Sequence, residues 1–549
     1  MIALALAVNG PARAEPPARP RVGLALGGGG ARGAAHIGVL EVLEQLHVPV
    51  DCVAGTSMGA LVAGAWAAGL DPAEMRRQLA RTDWGDLFVD ASDYSDLAWR
   101  NRRLAQRFLS GTESGVNAGG VVYPPGAISG QKIKLFINEL VHEDRGRRLI
   151  EQLALPLSIV ATDIGTGERV VFRSGSLAEA MRASMSVPGL VAPAEVGGRR
   201  LVDGGLVDNL PVREVRERCR ADVVVAVNVG TPLLKPEEVG SLLTVSAQVV
   251  NILTEQNVTQ SRALLGPGDL YIVPELDGIT SVDFARHAEA ADRGRAAALA
   301  VRDALARLAV PERDYATWQT RRRGRERAVP RVDAIEVVGL ERVDPAVVEQ
   351  QIRQPLGEPL DTAQLDRDLL RIYGRGDFES VDYALLDSRS RHILRITPIE
   401  KPWGPDYLRL AINLDSQLEQ GSTYSLRASY QRTWINRLGG ELLFTGEVGS
   451  TSGLAAEWYQ PLEAAQRSFV STAAGWRRTH ESVWFNDRRL ATYTLNTATL
   501  DLAAGVNFGT VGQARVGRRQ LSHSASVEAG IGLLSRLGDD SGGWLAEID

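Results

Sequence analysis

Two cysteines in 549 residues, Cys52 and Cys219, are too few for a disulfide framework, and neither stands at a metal-ligand spacing. The seven histidines include no His-x-x-x-His or His-Glu-x-x-His pair, so no metal is expected. Basic excess is missing as well. A net charge of -6 leaves no electrostatic footprint for DNA or RNA. No apolar run reaches the roughly 18 residues that a membrane helix needs. The longest, 58–70, has the length of a buried core helix, so any membrane span must be built from strands. What remains is a chain of globular composition, 44% hydrophobic and 23% charged, too long for one ordinary domain.

The N-terminus reads as an address. An apolar run from Ile2 to Val8 leads to Ala12-Arg13-Ala14, an A-x-A cleavage signature, which predicts a signal peptide over 1–14 and a Pro-rich spacer over 15–21. From residue 22 the pattern is an α/β alternation. A compact apolar strand at 22–26 ends in the glycine run 27–30, and helical spacing follows over 34–46. A second strand then enters Gly55-Thr56-Ser57-Met58-Gly59, with the long apolar helix behind it. Gly-x-Ser-x-Gly between strand and helix is a nucleophile elbow: the glycines permit a turn too tight for side chains, and the helix N-terminus faces the serine oxygen. Further strands are predicted at 157–162, 169–172, 223–229 and 270–273, helices at 177–185, 242–265 and 285–308, and a hairpin over 195–202 turning on Gly197-Gly198. Asp203-Gly204-Gly205 follows that hairpin directly, and the first domain closes near 310.

A serine hydroxyl needs a base and donors for the developing oxyanion. Asp203 is the best carboxylate for the first role. The amides of the glycine loop, with that of Met58, suit the second, and Arg32 either steadies the loop or meets an anionic head group. Two competing readings use the same residues. Gly28, Gly30 and Gly33 also match Gly-x-Gly-x-x-Gly, with Asp51 about 20 residues on, as in a dinucleotide fingerprint. That reading leaves Ser57 and Asp203 unexplained. A full Ser-His-Asp triad would have to use His287, the only histidine between Asp203 and the linker.

Residues 311–331 form a linker dense in arginine (Arg321, Arg322, Arg323, Arg325, Arg327), read as solvated. Beyond it the order β-α-α-β-β over 332–400 makes a small module, with Asp361-Thr362-Ala363-Gln364 capping its second helix. From 405 the periodicity becomes two: Leu408, Leu410, Ile412 and Leu414 alternate with Arg409, Ala411, Asn413 and Asp415. Six of the ten tryptophans lie after residue 400, mostly near predicted strand ends, which favours an outer-membrane barrel with aromatic girdles over a soluble sandwich. Eight to ten such strands precede Asp549, so a partial barrel is expected over 405–549.

Gly28-Gly29-Gly30-Ala31-Arg32-Gly33, Gly55-Thr56-Ser57-Met58-Gly59 and Asp203-Gly204-Gly205, in that order, resemble the three signatures of patatin-like phospholipases. Ala183-Ser184-Met185-Ser186-Val187-Pro188 resembles a further segment of that family. The resemblance covers 22–310. It implies a mostly parallel central sheet with flanking helices and a Ser-Asp dyad, without histidine or cofactor, that hydrolyses acyl esters of phospholipids. Carried over by position, Ser57 is the nucleophile, Asp203 the base, and the amides around Gly29 and Gly30 the oxyanion hole. Residues 332–400 resemble a POTRA module, and the strands after them resemble the barrels of two-partner secretion and outer-membrane assembly proteins. The whole order is similar to fused patatin autotransporters of type Vd secretion. That similarity implies a chain held in the outer membrane, aided by barrel-assembly machinery, with the hydrolase domain at the surface or secreted. A catalytically inactive cargo or binding domain is the alternative from outside enzymology.

Overall fold

The computed structural model describes residues 19–548 except 91, 93, 95, 110–112, 326, 389–390, 418–420, 487 and 531–535. The expected signal peptide and most of the spacer lie outside the described residues. The chain divides into two compact units: Met1–Thr82, Leu149–Met185 and Glu195–Glu326 form one, and Asp83–Arg148, Ser186–Ala194 and Arg327–Asp549 the other.

The first unit is built on a mixed eight-stranded sheet. Strand β1 (Val22–Leu26), helix α1 (Ala35–Gln45), strand β2 (Cys52–Thr56) and helix α2 (Met58–Ala67) follow in the predicted order. β1 lies between β2 and Val223–Val227, which in turn pairs with Leu270–Ile272, and β2 pairs with Leu157–Asp163; all these neighbours are parallel. Every residue of β1, β2 and Leu157–Asp163 is buried, as continuous apolar runs demand when both sheet faces are covered. Beyond Leu157–Asp163 the sheet turns antiparallel: Arg199–Asp203 and Arg169–Phe172 both pair with that strand. The parallel strands therefore bring the ends of β1 and β2 to one edge, where the glycine loop and the elbow begin.

Two features depart from the sequence reading. The arginine-rich stretch is not a solvated linker: Glu312–Arg323 is a helix of this unit, with Tyr315, Trp318 and Arg322 buried. Arg322 donates to the carbonyls of Trp66 (2.7 Å) and Leu70 (3.1 Å), pairs with Asp71 at 2.9 Å and lies over the Trp66 ring. A guanidinium with that many acceptors tolerates burial, and one residue in a charge run can thus face inward. The second departure is that Cys52 and Cys219, 167 residues apart, form a disulfide, with Cα atoms 6.1 Å apart. It ties the strand leading to Ser57 to the end of helix Val212–Cys219. Closing so long a loop restricts the unfolded chain, so reduction is expected to lower the stability of this unit by between about 2 and 5 kcal/mol. Urea unfolding with and without reductant, with Cys219→Ala as a reagent-free comparison, measures it.

The second unit has two sheets. Ala334–Val337, Pro345–Glu349, Thr362–Tyr373, Phe378–Ser388 and Arg391–Glu400 give the expected β-α-α-β-β order, with Arg391–Glu400 central in a three-stranded sheet. Eight antiparallel strands then run as a meander from Asp406–Gln417 to Arg536–Ile548. One face of the meander is apolar and exposed, through Leu410, Ile412, Leu414, Leu426, Val448, Leu454, Leu500 and Leu502. The other face carries ion pairs such as Arg427–Glu447 and Arg519–Asp501. Residues 83–148 also belong to this unit. Ser114–Asn117 pairs with the first strand of the meander, Arg100 of helix Trp99–Arg107 bridges Glu441 and Glu457, and the Gln131 amide bonds both the N–H and the carbonyl of Val381.

Candidate active site

Ser57 sits between β2 and α2 at φ 55° and ψ −126°, a left-handed backbone that few non-glycine residues adopt. The elbow is closed by close approach. A Cβ at Gly59 would come within 2.2 Å of the Leu26 carbonyl oxygen, and one at Gly55 within 2.4 Å of the Gly59 oxygen. Asp203 ends the strand Arg199–Asp203. That strand pairs with Leu157–Asp163, the neighbour of β2, so two residues 146 apart in sequence meet: Ser57 Oγ donates to Asp203 Oδ2 at 2.5 Å. The other carboxylate oxygen accepts the Gly205 N–H at 2.8 Å, and Thr162 Oγ1 donates to the Asp203 carbonyl. Gly204 lies against the carbonyl of Val160, too close for any side chain.

Both side chains are buried, at 8% and 7% exposure. Burial is the dominant influence on Asp203, pushing its carboxyl up to about 6 against the opposing bonds from Ser57 and Gly205. A carboxylate of that basicity takes a proton from a hydroxyl more readily than an ordinary one does.

The glycine loop lies over the serine. A Cβ at Gly28 would meet the Ser57 Cβ at 2.8 Å, so only glycine fits there. The Gly28 N–H is taken by the Asn209 carbonyl and that of Ala31 by the Ser281 carbonyl, with the amides of Gly29 and Gly30 between them. Gly33 packs against the Met58 side chain. Arg32 does not face a head group: it is buried, and its guanidinium donates to the carbonyls of Val229, Leu276 and Ile279. It steadies the loop, the other role considered for it. Asp51 lies at the opposite end of the sheet, accepting the N–H of Val22 at the start of β1 and pairing with Arg19. A ribose-binding carboxylate would be needed at the glycine-loop end, so the dinucleotide reading loses its acidic residue. His287 begins a helix and is bonded through Nδ1 to the Phe284 carbonyl, outside the Ser57–Asp203 hydrogen bond.

The sequence reading missed several supporting residues. His36 Nε2 donates to the Gly27 carbonyl at 2.7 Å, and its full burial, the main influence, lowers the imidazole to about 4, so it is neutral at pH 7. Asn257 donates to Gly205 O and accepts from Asn209 N, bolting helix Leu242–Arg262 to the turn after Asp203. Nothing in the sequence sets Asn257 apart from the other polar residues of that helix, Asn251 among them.

Residues 24–216 match the model of the Patatin family, described as patatin-like phospholipase. These residues form a patatin-like phospholipase domain. An uncharacterized NTE family protein of Mycobacterium tuberculosis is 38% identical over 210 residues, 38% of this chain and 49% of the relative. A lysophospholipase of Debaryomyces hansenii is 27% identical over 295 residues, 49% of this chain and 17% of the relative. The chain thus spans about half the length of the first of these relatives and less of the second. Among solved structures, BamA from Haemophilus ducreyi is similar at 12% identity and a TM-score of 0.29, over 39% of this chain and 42% of BamA. The patatin-like domain holds both Ser57 and Asp203, whereas part of it, 83–148, packs within the second unit.

Proposed function

We propose that this chain is a lipid acyl hydrolase of the phospholipase A type, with Ser57 as nucleophile and Asp203 as general base. The observation that carries the reading is the direct hydrogen bond from Ser57 Oγ to a buried carboxylate of raised basicity. Asp203 takes the hydroxyl proton as Ser57 Oγ bonds to the ester carbonyl carbon, and the amides of Gly29, Gly30 and Met58 bind the oxyanion. Collapse breaks the ester C–O bond, and Asp203 returns the proton to the departing alcohol. Water, deprotonated by Asp203, then cleaves the acyl-enzyme to fatty acid and free Ser57.

A lipid is favoured over a soluble ester by helix Leu242–Arg262, which Asn257 joins to the Asp203 turn. From 242 to 254 it has no charged residue, and Val245, Val249, Ile252 and Leu253 are exposed along one side. Carriage by the outer membrane is supported by the meander, with one apolar exposed face and one charged face, and by the β-α-α-β-β module before it, which we assign to the POTRA type. The leader at 1–14 is the export signal of this scheme.

Incubating the full chain with phosphatidylcholine and phosphatidylethanolamine vesicles, and with a fluorophosphonate that titrates reactive serines, tests the reading. Fatty-acid release and a label on the peptide bearing Ser57 are expected, with His287→Ala retaining turnover within about twofold. No release and no label would leave an inactive cargo domain. Loss of turnover in folded His287→Ala would replace the dyad by a triad.

A further inference from the structure

The elbow leaves one backbone group in difficulty. At φ 55° Ser57 has left the ladder of β2 and stands only at the N-cap of α2, so its buried N–H needs an acceptor from elsewhere. Ser184, the last residue of helix Leu177–Ser184, supplies one: the Ser57 amide donates to Ser184 Oγ at 2.8 Å. The same hydroxyl donates to the Val160 carbonyl at 2.6 Å. Ser184 is fully buried, so no water competes for either bond.

Val160 is a shared fixed point. It is the register partner of Thr56, the residue before the nucleophile, and the next residue, Ala161, is the partner of Asp203. Its carbonyl oxygen also forms the wall of the Asp203–Gly204 turn, 2.3 Å from where a Gly204 Cβ would stand. One hydroxyl therefore links the amide of the nucleophile to the strand against which the base is registered.

We propose that Ser184 is a positioning residue for acyl transfer. By holding the Ser57 amide toward Val160 it sets the approach of Ser57 Oγ to Asp203. It also occupies the Ser57 N–H, so the oxyanion is left to Gly29, Gly30 and Met58. The inference rests on the hydrolase reading above and gives a role to one residue of the 183–188 segment, a residue that supplies no reacting atom. Without the hydroxyl, the Ser57 N–H is a buried donor with no acceptor, a state relieved by rotation of the Ser57 peptide.

The test uses the full chain and two rates, lipid turnover and fluorophosphonate labelling. Ser184→Ala is expected to lower kcat and the labelling rate by on the order of tenfold to a hundredfold, with KM changed less than about twofold. Ser184→Thr, which keeps the hydroxyl, is expected to recover most of both; if its extra methyl unfolds the domain, Ser184→Cys takes its place, with partial recovery. Ala180→Gly in the same helix controls for stability, since it weakens the helix without touching the bond. Wild-type labelling in Ser184→Ala overturns the proposal. So does an equal loss of rate in Ala180→Gly at an equal fall in unfolding temperature, since the effect is then structural alone. A wild-type chain that is itself unlabelled and inert sinks the hydrolase reading together with this one.

Discussion

Ser57→Ala is expected to reduce lipid turnover by about 10³- to 10⁶-fold while the domain stays folded. In the mechanism proposed above Ser57 supplies the atom that carries the acyl group, and no second hydroxyl bonds Asp203 Oδ2 among the described residues. Alanine keeps the backbone demand at φ 55°, so folding should differ little from wild type. Ser57→Gly is the informative partner. It is equally inactive but relieves the left-handed strain, which is worth roughly 1 kcal/mol. Turnover on phosphatidylcholine vesicles and thermal unfolding of both variants measure the two effects. Residual turnover above about a tenth of wild type in either would remove Ser57 from the nucleophile's role.

Asp203→Asn should separate catalysis from stability in the opposite sense. The amide is nearly the same shape and its oxygen can still accept the Gly205 N–H, but its nitrogen donates toward Ser57 Oγ instead of accepting. Turnover is expected to fall about 10³- to 10⁴-fold. Stability should rise. The folded carboxyl titrates near 6, against an ordinary value of 3.8, so the folded state holds the proton more tightly than the unfolded chain between those values. The group's contribution to stability is therefore full below about pH 4 and is lost as pH climbs through about 6. At pH 7 the buried charge weighs about 3 kcal/mol against folding, from roughly two pKa units at 1.36 kcal/mol each. Urea unfolding at pH 5 and pH 7.5 should show wild type weakening over that interval and Asp203→Asn weakening less. The same titration predicts that kcat/KM of the wild type rises with pH through about 6, because only the carboxylate is a base. A flat profile from pH 5 to 8 would mean that Asp203 is not the titrating base.

The two side chains were legible in the sequence because turns are local. Gly55 and Gly59 flank Ser57 at fixed offsets, and Gly204 and Gly205 follow Asp203, where backbone geometry tolerates little else. The β-α-α-β-β order and the period-two strands were legible for a similar reason, since periodicity records which face of an element is covered. Arg322 was not. A run of arginines reads as solvated, and nothing within it tells which one will find the Trp66 and Leu70 carbonyls. The disulfide escaped as well, because two cysteines 167 residues apart have no spacing rule and are joined only by the packing of helix Val212–Cys219 on the sheet.

By itself, then, the sequence determined the alternation of elements, the glycine turns and the choice of Ser57 and Asp203 as the candidate site residues, all of which depend on neighbours a few residues away. Only the tertiary structure decided that Ser57 reaches Asp203 directly. It also turned Arg32 inward, set Asp51 at the far end of the sheet, and gave Ser184 to the amide of Ser57. The physical reason is the sheet. Its register brings together residues more than a hundred positions apart, and burial within it raises the basicity of Asp203 and obliges every backbone donor at the elbow to find an acceptor.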